Sequence, residues 1–337
     1  MAGKTSELRA IELDEDDLAL VVGEMLSAAS GRSVRVRSQR RQPSEFATLF
    51  PAEILWVSLD DGSEIRLFLK HRGPEQLGQP DKERRDREVR VYEELLRDED
   101  LPVPKYYGSR RNSTTGRLEM FLEYIHDWPL KYHGLEHWAT AAQRLASLHS
   151  HFAARADALM ACDFLLRLDV DYFAAWAQRA LDALANQSAE LAEQLKEVIT
   201  QYQAACELLA AQPVTLVHND LAPKNVIADR SQIPARICLI DWEMAGVGCG
   251  LLDLVHLKYG LDSEQGAKLV TLYRSALRTG LLPDDNQEFA RVLAACELHK
   301  TLYRIAHSPA WNLPLATLAQ WVADTQGFMR VVGGGGA

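Results

Sequence analysis

Two short segments hold the residues best suited to chemistry: His218-Asn219-Asp220-Leu221-Ala222-Pro223-Lys224-Asn225 and Ile240-Asp241-Trp242-Glu243. They give an aspartate, an asparagine five residues on, and a second aspartate after an apolar run. That layout suits phosphoryl transfer. One carboxylate can take or orient the proton of an acceptor hydroxyl. An amide oxygen and another carboxylate can hold Mg²⁺ against nucleotide phosphates. A lone His-x-Asp arises by chance, whereas the full spacing followed by an apolar strand ending in Asp is far more specific.

The flanking residues predict what positions these groups. Residues 214–217 form a short β-branched run before the motif, 226–228 follow it, and 236–240 form a second apolar run after the polar turn 229–232. The pattern reads as strand, loop, strand, turn, strand, with Asp241 ending the last strand. Pro223 suits a loop and would break a helix. A hairpin of this kind brings Asn225 and Asp241 together and leaves Asp220 on the loop facing the same cavity.

On these residues the chain resembles the aminoglycoside phosphotransferase and choline kinase family of small-molecule kinases. The resemblance implies that Asp220 is the catalytic base, that Asn225 and Asp241 are the metal ligands, and that His218 is a structural residue of the loop. Ala222 stands where serine/threonine kinases carry Lys, and Asp241-Trp242-Glu243 replaces Asp-Phe-Gly. Both departures favour a small-molecule kinase over a protein kinase. Asp253, in Gly250-Leu251-Leu252-Asp253, resembles the family's Asp after the metal loop; it would hold backbone groups of the catalytic loop, and is a helix N-cap candidate as well. Glu243 could reach the metal shell, reach an acceptor amine or face water. Lys224 is a surface lysine by default and a phosphate contact by position. His149 reads as a packing and hydrogen-bonding residue near the loop.

The implied fold is α+β and bilobal: a strand-rich N-terminal nucleotide lobe with hinge over 1–127, a larger helical catalytic and substrate lobe over 128–330, and a flexible tail over 331–337. Helices are expected over 12–29, 83–97, 286–306 and 315–330, with one sustained stripe from Leu191 to Leu209. Strands are expected over 34–37, 52–59, 64–70, 105–109 and 118–125, and residues 71–82 read as a loop. Lys70 ends a strand, where a kinase lobe would aim it at the nucleotide phosphates, paired with a helix Glu. Glu88 is the best partner, with Glu83, Glu93 and Glu94 as alternatives. The phosphate-covering loop is expected over 38–51. It has no glycine; Ser44 could bond a phosphate or be an ordinary turn serine. Glu123 to Asp127 would form the hinge beside the nucleotide.

Of 337 residues, 47% are hydrophobic and 25% charged, which fits a packed soluble core. No apolar run reaches the ~20 residues needed to span a bilayer. The N-terminal residues lack the apolar stretch of a signal peptide, so a cytoplasmic enzyme is expected. The formal charge of −10 argues against nucleic acid and is compatible with a cationic small substrate. The five scattered cysteines read as free thiols. Aromatics including Trp128, Tyr132, Trp138, Trp176, Tyr303, Trp311 and Trp321 could line an acceptor pocket, though core is the commoner role. The expected reaction is Mg²⁺-dependent transfer from ATP or GTP to a small-molecule hydroxyl. Choline, ethanolamine, aminoglycosides, macrolides and sugars are candidate acceptors, and no obligate protein partner is expected. The rival reading is a non-catalytic nucleotide-binding or scaffold protein on the same fold.

Overall fold

A computed structural model describes residues 14–45, 51–74, 78–97, 100–113 and 116–334. The chain divides into two compact units, Met1–Asp127 and Trp128–Ala337.

The first unit opens with α1 (Glu15–Ser30). Asp14 caps it, its carboxylate accepting from the N–H groups of Asp16 and Asp17, and Gly31 ends it at φ 68°. A five-stranded antiparallel sheet follows in the order β1-β2-β3-β5-β4: β1 (Val36–Pro43), β2 (Ala52–Leu59), β3 (Glu64–Pro74), β4 (Tyr106–Arg111) and β5 (Arg117–Glu123). Between β3 and β4 lies α2 (Gln79–Arg90), which runs on as a wider turn over Val91–Leu95. Leu18, Val22 and Leu26 of α1 pack on Leu55, Val57, Leu67, Leu69 and Phe121 of one sheet face.

Two strands outrun the sequence expectation. β1 continues to Pro43 because it is the edge of the sheet, where Arg, Gln and a terminal Pro are tolerated on the solvent side. Only 44–51 is left to join β1 to β2, and 46–50 of the expected phosphate loop lie outside the described residues. β3 continues to Pro74 because His71 and Arg72 find charged partners. His71 is fully buried, 3.5 Å from Glu53 and 3.8 Å from Glu119. Glu53 also takes both arms of Arg41 at 2.7 Å. Glu119 accepts from Arg110 at 2.8 Å and Asn112 at 2.9 Å. Arg41, Glu53, His71, Glu119 and Arg110 come from β1, β2, β3, β5 and β4, so a row of alternating basic and acidic side chains crosses the whole sheet.

The second unit is mostly helical. Its elements are α3 (Leu135–Ala153), α4 (Ala156–Ala161), β6 (Leu166–Arg167), α5 (Val170–Ala185), α6 (Ala189–Ile199), α7 (Gln203–Ala210), β7 (Thr215–Val217), β8 (Val226–Asp229), β9 (Arg236–Leu239), β10 (Gly246–Gly248), α8 (Leu251–Leu257), α9 (Ser263–Ala276), α10 (Asn286–His307) and α11 (Leu315–Val332). The expected stripe over 191–209 breaks into α6 and α7. The chain turns at Thr200–Tyr202, where Tyr202 N–H bonds back to Ile199 O, while Leu195, Tyr202, Cys206 and Leu209 stay buried. Of the expected tail, Val331 and Val332 belong to α11, with Val332 buried, and 335–337 lie outside the described residues. Among the described residues no two cysteines form a disulfide. Among the described residues, no helix is long and apolar enough to cross a membrane.

Candidate active site

β7 runs into the loop that holds Asp220, and β8 leaves it. β8 and β9 form the expected hairpin, with Val226 opposite Leu239. Beyond the last rung, Ile240 N–H donates to Asn225 O at 3.0 Å. Asn225 and Asp241 therefore flank the open end of one hairpin. Asp241 adopts a left-handed backbone, φ 67° and ψ 58°, which turns the chain sharply off the strand. Trp242 is fully buried, packs 4.6 Å from the His218 ring and donates its indole N–H to Leu239 O.

The loop is fixed from below. Asp253 is fully buried; its Oδ1 accepts from Asn219 N–H and its Oδ2 from His218 N–H, both at 2.7 Å. The role expected for Asp253 is thus its observed place, but it stands in the first turn of α8 and Gly250 is the N-cap. His149 Nε2 lies 3.4 Å from the same carboxylate, and Tyr273 Oη lies 2.7 Å from His149 Nδ1. Burial alone would raise the Asp253 pKa; His149, then His218 and Lys300, outweigh it and hold the carboxyl below its usual range. His218 Nε2–H donates to Ile240 O at 2.7 Å, which leaves Nδ1 to accept from Asp220 N–H at 3.3 Å. One imidazole so ties the loop to the strand before Asp241.

Asn219 is the residue that bends. It is fully buried at φ 67°, and its side chain donates to Tyr172 Oη at 2.7 Å. Lys300 of α10 places Nζ 2.7 Å from Asn219 O and 3.0 Å from Asn219 Oδ1. Burial pulls the Lys300 pKa down to about 8, opposed in part by Asp253 and Asp220. Neither Lys300 nor Tyr172 was marked by sequence. The one available signal was a lysine inside the apolar stretch Leu298-His299-Lys300-Thr301-Leu302.

Asp220 itself is partly exposed. Asn225 Nδ2 donates to Asp220 O at 2.8 Å and to Oδ2 at 3.1 Å. The Asn225 amide is thereby oriented by its Nδ2. Lys224 Nζ is 3.7 Å from Asp220 Oδ2 and well exposed. His256 Nε2 is 3.8 Å from Oδ1. Burial, then the charges of Lys300 and Arg304, push the His256 pKa well below its ordinary value, so it meets Asp220 as a neutral ring. Asn225 Oδ1 and the Asp241 carboxylate are hard oxygen donors of the kind Mg²⁺ takes. Among the described residues, no group of three or more His, Cys, Asp or Glu could hold a metal by itself. Donors of this kind suit a cation whose remaining ligands come from phosphate oxygens and water.

In the first unit, Lys70 Nζ lies 2.6 Å from Glu88 Oε1. Arg72, which sequence did not mark, reaches Glu88 Oε2 at 2.9 Å. Glu88 is fully buried between the two cations. The alternatives face elsewhere: Glu83 takes Gln79, Glu94 takes Arg90 and Glu93 lies beside Arg97. Ser44 is buried, its N–H donating to Ala52 O, and Ala52 is the register partner of Lys70. The Glu123 carboxylate accepts from Lys105 N–H at 3.0 Å, so it closes a strand end.

The second unit thus holds a carboxylate on a clamped loop and two hard donors on a hairpin, and the first unit a buried Lys–Glu pair, groups of the kinds that phosphoryl transfer uses. The family comparison agrees. Residues 54–293 match the model of the phosphotransferase enzyme family, and the chain belongs to that family, an enzyme of the small-molecule kinase class. No curated protein matches the chain in sequence. Among solved structures it is similar to a microcompartment-associated aminopropanol kinase (16% identity, 94% of this chain and 98% of that one, TM-score 0.60). It is also similar to an ethanolamine kinase of Plasmodium vivax (12%, 98% and 99%, TM-score 0.57). A third is the GDP complex of an aminoglycoside 2'-phosphotransferase-IIIa (12%, 93% and 97%, TM-score 0.55). At these identities the likeness establishes the α+β kinase-like fold.

Proposed function

We propose that this protein transfers the γ-phosphoryl group of ATP or GTP to a hydroxyl of a small molecule, with Mg²⁺. The observation that carries the reading is the setting of Asp220. Its Oδ2 is steadied by Asn225, and its Oδ1 meets only a neutral histidine, so the carboxylate is oriented and unneutralised on one side. There it can accept the acceptor's proton as the oxygen attacks. Asn225 and Asp241 would hold the metal, which when bound neutralises charge on the transferring phosphates. Lys70, braced by Glu88, would fix the donor phosphates. The GDP bound by one structural relative supports a purine nucleotide donor. Catalysis on this reading comes from positioning and preset electrostatics.

The test is Asp220→Asn. Nucleotide binding, read by titration calorimetry with a non-hydrolysable ATP analogue, should stay near wild type. Donor consumption against a panel of amino-alcohols, aminoglycosides, macrolides, sugars and hydroxy acids should fall by about 10²- to 10⁴-fold. Unchanged turnover in a folded variant overturns the assignment.

A further inference from the structure

The two oxygens of Asp220 face different surroundings. Oδ2 faces Asn225, on the side assigned above to metal and donor. Oδ1 faces His256, 3.8 Å away, and the Tyr303 ring lies 6.2 Å beyond the His256 ring. Tyr303 packs at 4.5 Å on Trp176 and at 4.4 Å on His307. A strip of rings thus begins beside this carboxylate.

Two rings of this strip, Trp176 and Tyr303, and two further rings of this unit, Tyr259 and Trp321, already carry the chain's own cations. Arg179 lies 4.6 Å over Trp176, Lys300 5.3 Å from Tyr303, and Arg304 4.4 Å over Tyr259 and 5.8 Å from Trp321. A ring covered by a guanidinium or ammonium has little negative face left for a cationic ligand. Arg304 donates Nε–H to Lys300 O and Nη2–H to Thr301 Oγ1. Its charge remains: among the described residues no carboxylate lies within ion-pair distance of it, and Nη1 has no bonded acceptor. It sits one helical turn from Lys300, which grips the residue before Asp220. Lys224 adds a further exposed cation beside Asp220. The depressed pKa of His256 reports the same positive field, with Lys300, Arg304 and Lys224 among its causes after burial.

We propose that the acceptor carries an anionic group, a carboxylate or a phosphate, near its reacting hydroxyl, and that Arg304 selects for it. The inference rests on the reading of Asp220 given above, and it reverses the cationic acceptor that net charge alone allowed. A planar guanidinium with one free edge suits bidentate capture of either oxyanion.

The test uses four probes that share a glycerol skeleton: glycerate, glycerol phosphate, glycerol and aminopropanediol. Binding to the full chain without nucleotide is measured by calorimetry for wild type, Arg304→Gln and Arg304→Lys. An anionic probe should bind wild type at least about tenfold more tightly than glycerol or aminopropanediol. The preference should vanish in Arg304→Gln and largely survive in Arg304→Lys. Comparison of the two anionic probes separates carboxylate from phosphate. Binding of aminopropanediol at or above the anionic probes overturns the proposal. So does an equal response to all four, or an unchanged preference in Arg304→Gln. A purely structural Arg304 would move thermal stability and leave the charge preference alone. Because these titrations need no turnover, failure of the Asp220→Asn test and failure of this one are read independently.

Discussion

Lys300 has the least ordinary setting of any charged residue in the site. It is a buried ammonium whose nearest bonded acceptors are both oxygens of Asn219. Its pKa of about 8 lies below the ordinary 10.5 because burial disfavours the charge. Below about pH 8 the charged form costs folding free energy, and that cost fades as pH rises toward the unfolded value. Over the same interval the site loses the positive charge facing Asp220 and Asp253. Activity and this group's stability contribution should therefore move in opposite directions on the alkaline side. We expect a pH–rate profile with a limb near pH 8 that is absent in Lys300→Met. That variant should also lose about 1–3 kcal/mol in urea melts at neutral pH, since two buried oxygens lose their donor. An alkaline limb unchanged in Lys300→Met would contradict this account.

What sequence revealed at this scale was what is contiguous. Asp220, Asn225 and Asp241 stand within one hairpin, so spacing and alternation could place them. The clamp was only partly legible. Asp253 was visible through its family motif, but Lys300 and Tyr172 reach Asn219 across 81 and 47 residues. No local pattern encodes such partners. Arg304 was hidden for the same reason, since an arginine on a long helix reads as a solvated face.

At the level of elements, β3 and α2 are joined through Glu88. Lys70 and Arg72 lie on the same face of β3, two residues apart, and both meet that one carboxylate. The two cations are then not equivalent to their partner. Lys70→Ala leaves Glu88 neutralised by Arg72, so the unit should keep its fold and lose only donor affinity. Glu88→Ala strands two cations and should cost about 3–5 kcal/mol, as other broken buried pairs do. In KM for ATP the double variant should be little worse than either single one, because both act through one contact. Fully additive losses in KM would remove Glu88 from the nucleotide site. The lengths of β1 and β3 show why element boundaries were misjudged. Each continues through polar residues that alternation assigns to loop, because one is a sheet edge and the other finds ion pairs inside.

For the whole molecule, the charged row across the first unit's sheet sets its behaviour in acid. Burial would raise the Glu53 pKa, but His71 and the bidentate Arg41 outweigh it and bring it to about 2, against an ordinary 4.5. The stability this provides is full above the unfolded value and is lost as pH falls toward 2. It amounts to about 3 kcal/mol at about 1.4 kcal/mol per pH unit. Urea melts of wild type should therefore weaken steeply between about pH 4.5 and pH 2. Glu53→Gln should be weaker at neutral pH and flatter in that range. A variant with the wild-type acid slope would show that the row is not what fails.

The way the loop is held also bears on how such a protein can change. Asp253 grips the loop through backbone N–H groups, and the Asp220 Oδ2 side is set by Asn225 on its own hairpin. None of those bonds involves Tyr259, Tyr303 or Arg304. On the proposal that Arg304 selects the acceptor, drift there would change acceptor choice while the loop that holds Asp220 stays intact. Descendants of one such ancestor could diverge widely in what they phosphorylate before any of them had to relearn how.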